Sequence, residues 1–466
     1  MTVIRDRARF QLTALGILLA LLALVPWATT STAEAQSTPI QHIVVLYLEN
    51  HTFDSMLGYW CDQHPARGCL GMPASVHLSD GTVVRPGTSP DIVSPVQHTV
   101  AAQQTAIDGG KMDGWGLVDG CRPHNHYACI AGYQPAQVPN VASLASRFAL
   151  SDHTFSMSNS PSYGGHLYAA MASMDGFTGN IPVPAPGAHP GQGWGCDSKL
   201  ITQWQRQLTT RLRWVPSCVP DPALGLPHGG AFRNTPVSYA PTIMDRLDAA
   251  ALTWRIYGEP KPGGAKSTGY GWDICPSIAE CLDTSQHTNN VAAAQFVTDA
   301  KAGNLPSFSI VTPGGPQAKD SQHNGFSMTA GDNWLGQVAS AVMNGPEWRS
   351  TVLFITWDDC GCFYDQVAPG TNPDGTPQGP RVPLVIVSPY AKQGYTDTTP
   401  TTFAGILAYT EHIFKLAPLG VNDAQAYPFT KAFNYSQRPL GPARMVQRPL
   451  PPDAYHVNMK NANDDT

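Results

Sequence analysis

Five stretches of this chain are continuous apolar runs rich in Val, Ile and aromatic residues, and each gives way to polar or turn-forming residues. Gln41–Leu48 (QHIVVLYL) is the clearest; Thr253–Tyr257, Ser307–Val311, Thr351–Trp357 and Pro383–Val387 repeat the pattern. A run without polar alternation suits a strand buried on both faces, as in a parallel sheet covered by helices on either side. Helical stretches intervene at Val138–Ser146, Tyr163–Ser173, Thr242–Ala250, Trp334–Met343 and Thr401–Leu416. The alternation predicts an α/β fold around one mostly parallel sheet. Ligands of such open sheets gather at the carboxyl ends of the strands, so the residues that follow each run carry the most information.

The length of 466 residues allows about three domains or one large unit with insertions. With 43 Gly and 42 Pro, much of the chain must be ordered loop, and residues 179–238, rich in both, read as an insertion over the core. A net charge of −6 makes no electrostatic case for nucleic acid or an anionic membrane as the principal partner.

Arg5, Arg7 and Arg9 precede an apolar stretch from Leu12 to Val25, and Ala33-Glu34-Ala35 offers small residues for cleavage. This layout predicts a secretory signal peptide over residues 1–35 and a mature chain of 36–466 forming a single α/β domain. A membrane anchor is the alternative, but the run is short for a span of ~20 residues and Pro26 closes it. No later segment is apolar enough to span, so a secreted or periplasmic protein is expected.

All ten cysteines lie beyond residue 35, and an even count in an exported chain reads as disulfides. Sequence neighbours suggest Cys61–Cys69, Cys121–Cys129, Cys196–Cys218 and Cys275–Cys281, each stapling a loop. Cys360-Gly361-Cys362 is left as a tight pair.

After Leu48 come Glu49 and Asn50; after Trp357 come Asp358 and Asp359. Hard oxygen donors delivered by two strands suit a divalent cation, since carboxylates gathered without one repel. Asn and Asp also cap helices and open turns, and spacing alone leaves both readings open. A third element, Ser160-Pro161-Ser162-Tyr163-Gly164-Gly165-His166, places Ser162 near a helix N-terminus, where free N–H groups favour an anion. A serine there is a nucleophile or an ordinary cap. His124-Asn125-His126 has a metal-like spacing but lies between Cys121 and Cys129, which favours a loop tip.

These elements, in this order, resemble the bacterial phosphoesterase family of non-haemolytic-type phospholipases C and secreted acid phosphatases, a branch of the alkaline phosphatase superfamily. Glu49-Asn50-His51-Thr52-Phe53-Asp54 through Gly58 is similar to its first signature, E-N-[RH]-[ST]-F-D-x-x-x-G. Gly110 through Trp115 resembles G-K-M-D-G-W, and Phe148–Ser156 with Pro161–Tyr168 resembles the nucleophile region. Thr356 through Asp365 resembles T-[YW]-D-E-x-G-G-x-Y-D-H, and Gly379 through Pro383, with Val387-Ser388-Pro389, resembles G-x-R-V-P…[IV]-S-P.

The resemblance, over about residues 41–416, implies an alkaline-phosphatase-like three-layer core with long disulfide-stapled loops. It implies a divalent metal (Ca, Mg, Mn or Zn) on Glu49, Asn50, Ser162, Asp358 and Asp359. Ser162 would be the nucleophile of a phosphoserine intermediate, with His98, His323 and His166 as candidates for leaving-group protonation and phosphate binding. Arg381 would hold phosphate or tether a carboxylate, and Asp54 would order the turn after Asn50. Three positions depart from the pattern: Gly165 stands for Asn, Cys362 for Gly and Gln366 for His. The longer phospholipases carry C-terminal β-domains for which the residues after Leu416 leave no room. That favours an acid-phosphatase-like phosphomonoesterase, with a phospholipase C-type phosphodiesterase as the alternative and a catalytically silent exported binding protein as a third reading. The substrate is expected to be a phosphate ester, including a phospholipid under the second reading.

Overall fold

The computed structural model describes residues 38–189, 193–208, 210–224, 235–261, 268–314 and 319–454; the expected signal peptide lies outside them. Eight strands form the main sheet: β1 (His42–Leu48), β2 (Ala149–Ser151), β3 (Trp254–Gly258), β4 (Asn290–Ala292), β5 (Phe308–Val311), β6 (Thr351–Trp357), β7 (Leu384–Val387) and β8 (Thr396–Asp397). Their spatial order is β4-β3-β5-β1-β6-β7-β2-β8. Every neighbouring pair is parallel except those made by β7, which runs antiparallel to β6 and to β2.

The five apolar runs are therefore strands, each within a residue of its expected bounds. All seven residues of β6 are buried, so both faces of the sheet are covered. Phe354 on β6, for example, meets Tyr409 edge-on at 5.2 Å. Removing such side chains from water stabilises by about 1.5–3 kcal/mol each. The principal helices are α1 (Val100–Ile107), α2 (Pro139–Arg147), α3 (Ser162–Met171), α4 (Ile243–Ala249), α5 (Ala293–Ala302), α6 (Met328–Met343) and α7 (Ala404–Phe414). α6 starts six residues before the expected Trp334, because the Ser327 hydroxyl accepts from Ala330 N (3.2 Å) and caps the helix earlier. Strands β2, β4 and β8 have two or three residues, too few to show a periodicity.

All four expected disulfides form, while Cys360 and Cys362 are buried free thiols. The stretch around Cys196–Cys218 carries a small antiparallel sheet of Val183–Pro184, Leu200–Trp204 and Arg213–Pro216. No helix among the described residues is long and apolar enough to cross a membrane.

Candidate active site

Strand register brings the site together. β1 and β6 pair in parallel with Leu48 opposite Trp357, so their carboxyl-end residues leave the sheet side by side. Asp358 N donates to Leu48 O (2.9 Å), and Asn50 N donates to Asp358 Oδ1 (2.9 Å), which locks the two tails to each other. Asn50 takes φ 60°, a left-handed conformation that Asn tolerates better than most residues. Behind it Gly361 approaches so closely that a Cβ would lie 2.6 Å from Asn50 O.

Helix α3 supplies the third side. Ser162 opens it and His166 follows one turn later on the same face. Ser162 Oγ donates to Glu49 Oε2 at 3.0 Å; His166 Nε2 lies 2.7 Å from Glu49 Oε1 and 3.9 Å from Asp358 Oδ2. Gly165 is what lets the helix come this near, since a Cβ there would stand 2.7 Å from Asp358 O. Its own N–H is bonded to Pro161 O (3.4 Å), so it does not stand in for an asparagine donor.

His98 and His323 close the site from the other direction. Each ring places Nδ1 on a backbone carbonyl, Val96 O (2.9 Å) for His98 and Asn324 O (2.8 Å) for His323. A carbonyl only accepts, so both Nδ1 atoms carry protons and the Nε2 atoms face inward. His98 Nε2 is 3.5 Å from Asn50 Nδ2. The Asn50 amide bridges Asp359 and His323, and its two orientations make different demands. With its nitrogen toward the histidines, its oxygen faces both Asp359 oxygens, at 3.0 and 3.3 Å. Three acceptors then confront one another, an arrangement a shared cation stabilises. Turned over, the amide donates to Asp359 and accepts from His323 Nε2 at 2.7 Å, which requires His323 to be protonated on both nitrogens. The first orientation is satisfied by a cation or by a proton on Asp359, and the second by a proton on His323 Nε2.

The other half of the site gathers buried acceptors in the same way. Burial pulls the His166 ring down to about 4, against the opposing pull of Asp358, and a hydrogen bond to the Trp272 backbone occupies its other face. A neutral ring then presents a lone pair to Glu49. Glu49, Asp358 and Asp359 are all fully buried, and Asp358 Oδ2 has no hydrogen-bond partner among the described residues. Burial, and then the Glu49 charge, hold Asp358 up at about 7; burial and the Asp358 charge push Asp359 well above the carboxylate range. Glu49, His166 and Asp358 present donor atoms within 4.8 Å of one another. Buried carboxylates, an amide oxygen and an imidazole lone pair, short of positive charge, fit a divalent cation. His166 as a potential ligand was missed by sequence reasoning, although its i, i+4 spacing from Ser162 on a helix was a usable signal.

Trp272 was also missed. It packs against His166 (6.3 Å between centroids, 5° between planes) and His323 (5.9 Å, 27°), forming a wall that no motif announced. Beside it Asp273 is fully buried; Oδ1 accepts from Glu259 N (2.7 Å), while Oδ2 has no partner among the described residues. Burial raises Asp273 to about 8. The folded chain therefore keeps a proton that the unfolded chain releases near pH ~3.9. The associated stability is complete below that value and is lost as pH rises through about 8. Thermal unfolding should shift to lower temperature between pH 5 and pH 8.5, and Asp273→Asn should flatten that slope; an equally steep slope in the variant would remove Asp273 as its cause.

Arg381 tethers carboxylates and holds no position at the nucleophile. Its Nη2 donates to Asp54 Oδ1 and its Nε to Asp365 Oδ1, both at 2.8 Å, and its Nη1 to Asp152 O at 2.9 Å. Gln366 also serves Asp54, donating from its backbone N (2.9 Å) and its side-chain amide (3.0 and 3.1 Å). Asp54 accordingly orders the turn after Asn50. Cys362 adopts φ 48°, the left-handed conformation that favours glycine, the residue common at this point of the motif. His124 and His126 are exposed on the loop closed by Cys121–Cys129.

Residues 40–417 match the Phosphoesterase family. Non-specific phospholipase C6 of Arabidopsis thaliana is 24% identical over 420 residues, covering 83% of this chain and 69% of that protein. Phospholipase C B of Mycobacterium tuberculosis is 23% identical over 407 residues, covering 76% and 69%. A solved protein of the alkaline phosphatase superfamily from Vibrio parahaemolyticus is 12% identical, covers 81% of this chain and 68% of that one, and superposes with a TM-score of 0.34.

Proposed function

The chain belongs to the phosphoesterase family and is a phosphoester hydrolase, and on that premise we propose that Ser162 attacks phosphorus and carries a phosphoserine intermediate. The observation that carries this reading is the Ser162 Oγ–Glu49 Oε2 hydrogen bond of 3.0 Å at the start of α3. Glu49 is positioned to hold the hydroxyl proton as the oxygen attacks, and the helix N-terminus favours the phosphoryl oxygens. His98 and His323 face the same space with Nε2, and whichever enters the step with Nε2 also protonated gives that proton to the leaving oxygen. Water then attacks the phosphoserine and the proton transfers reverse. Glu49, Asn50, Asp358 and Asp359 would hold the divalent ion, with Ser162 Oγ and His166 Nε2 as further ligands. When bound, that ion supplies Lewis-acid stabilisation of the developing charge and favours the serine alkoxide.

Relatives named as phospholipases C across more than three quarters of the chain support phosphodiester cleavage, with a phospholipid as the substrate class. The phosphomonoesterase expected from the sequence resemblance is the second reading. Turnover on phosphatidylcholine, a soluble diester and p-nitrophenyl phosphate under matched conditions separates them, because a monoesterase prefers the last. Chelator dialysis should cut turnover at least 100-fold, with recovery on adding one of Ca, Mg, Mn or Zn. Full activity in protein shown to be metal-free would exclude the metal reading. We also infer export, which N-terminal sequencing of secreted protein beginning at Gln36 would support.

A further inference from the structure

Residues 199–216 read KLITQWQRQLTTRLRWVP, with four basic residues and no acidic one, inside a chain whose net charge is −6. The described residues of this stretch, 199–208 and 210–216, form the two arms of a hairpin. Leu200–Trp204 pairs antiparallel with Arg213–Pro216, and Cys196–Cys218 staples the base. Trp204 Nε1 donates to Asp175 O (2.7 Å), fastening the inner strand to the body of the protein. The tip faces solvent: Leu208 is 54% exposed, Leu212 45% and Trp214 57%, and Arg206, Arg211 and Arg213 are exposed among them. Along one side the tip walls a cleft of about 730 Å³ through Arg206, Leu208 and Leu212. Ser158 and Asn159, just upstream of Ser162, line the same cleft. Its acidic lining residue, Asp374, is engaged by Thr376 (2.5 Å) and Asn422 (2.9 Å).

Large apolar side chains left in water on a disulfide-braced hairpin are costly unless something covers them. Three arginines interleaved with two leucines and a tryptophan match a lipid–water boundary: guanidinium groups meet phosphate headgroups, and the indole and leucines enter the acyl boundary. The whole-chain charge hid this, because attraction to a charged surface acts within about a Debye length and depends on local clustering. We propose that the 199–216 hairpin docks this protein on the surface of a bilayer containing anionic phospholipid. This inference goes beyond the hydrolytic reading and does not depend on it, since docking needs no turnover.

The test uses the full chain carrying Ser162→Ala, so that vesicles are not consumed, and sediments it with vesicles of 30% phosphatidylglycerol in phosphatidylcholine or of phosphatidylcholine alone. Binding is expected to the anionic vesicles, weak binding to the neutral ones, and release in high salt. Arg211→Gln/Arg213→Gln/Trp214→Ser, which leaves the cleft lining intact, should weaken partitioning at least tenfold. The triple variant should keep the circular dichroism spectrum and thermal unfolding midpoint of its parent, which shows that it folds. The proposal is overturned if wild-type hairpin protein ignores anionic vesicles, if the folded triple variant binds them equally well, or if only a soluble acidic polymer is bound. Failure of the hydrolytic reading would appear separately, as absent turnover with docking preserved.

Discussion

Ser162→Ala should lower phosphoester turnover by about three orders of magnitude or more while leaving the fold in place. The side chain is fully buried, and its hydroxyl donates to Glu49 Oε2, so the substitution removes the attacking oxygen and one hydrogen bond without enlarging the side chain. Two measurements check this. Turnover of a soluble ester reads the loss directly, and mass spectrometry of acid-quenched wild-type enzyme should find phosphate on Ser162. A Ser162→Ala enzyme with near wild-type turnover would reject the nucleophile assignment. Wild-type-like turnover with phosphate trapped elsewhere would move the role to another residue.

Arg381→Met should produce the largest loss of stability, about 3–5 kcal/mol, seen as a lower urea midpoint. Arg381, Asp54 and Asp365 are all fully buried, and both carboxylates take hydrogen bonds from the one guanidinium. Burial raises Asp54 to about 7 even with Arg381 beside it, and burial also raises Asp365. Deleting the cation leaves two neighbouring carboxyls in a low-dielectric interior with amide donors but no positive charge to offset them. The companion variant Arg381→Met/Asp54→Asn/Asp365→Asn removes the charges together and should recover much of the loss. If the single substitution is as mild as an exposed one, the network is not holding the turn after Asn50.

Much of the sheet was legible because β-branched apolar runs bury both faces and need no partner to be recognised: QHIVVLYL and TVLFITW are strands in the structure. The strand ends were legible too, since Glu49-Asn50 and Asp358-Asp359 follow those runs directly. The neighbouring disulfides were readable from sequence order, as short loops bring their own ends together. Orientation was not readable: nothing in Leu384–Val387 says that β7 runs against its neighbours, which is settled by the path of the preceding chain. Nor was the alternative at Arg381 decidable from one strand entrance, because its partners lie 16 and 327 residues away.

The sequence by itself thus determined the α/β class, the family and the donors offered at two strand ends. It did so because these depend on local periodicity and on residue types held in order along the chain. Only the tertiary structure decided which donors meet. The pairing of Leu48 with Trp357 sets Glu49 beside Asp358, and the glycine at 165 lets α3 deliver Ser162 and His166 to them. It also placed Trp272 against His166 and His323, from two other parts of the chain. Contacts of this kind depend on register and close approach between distant segments, and no window of sequence contains them.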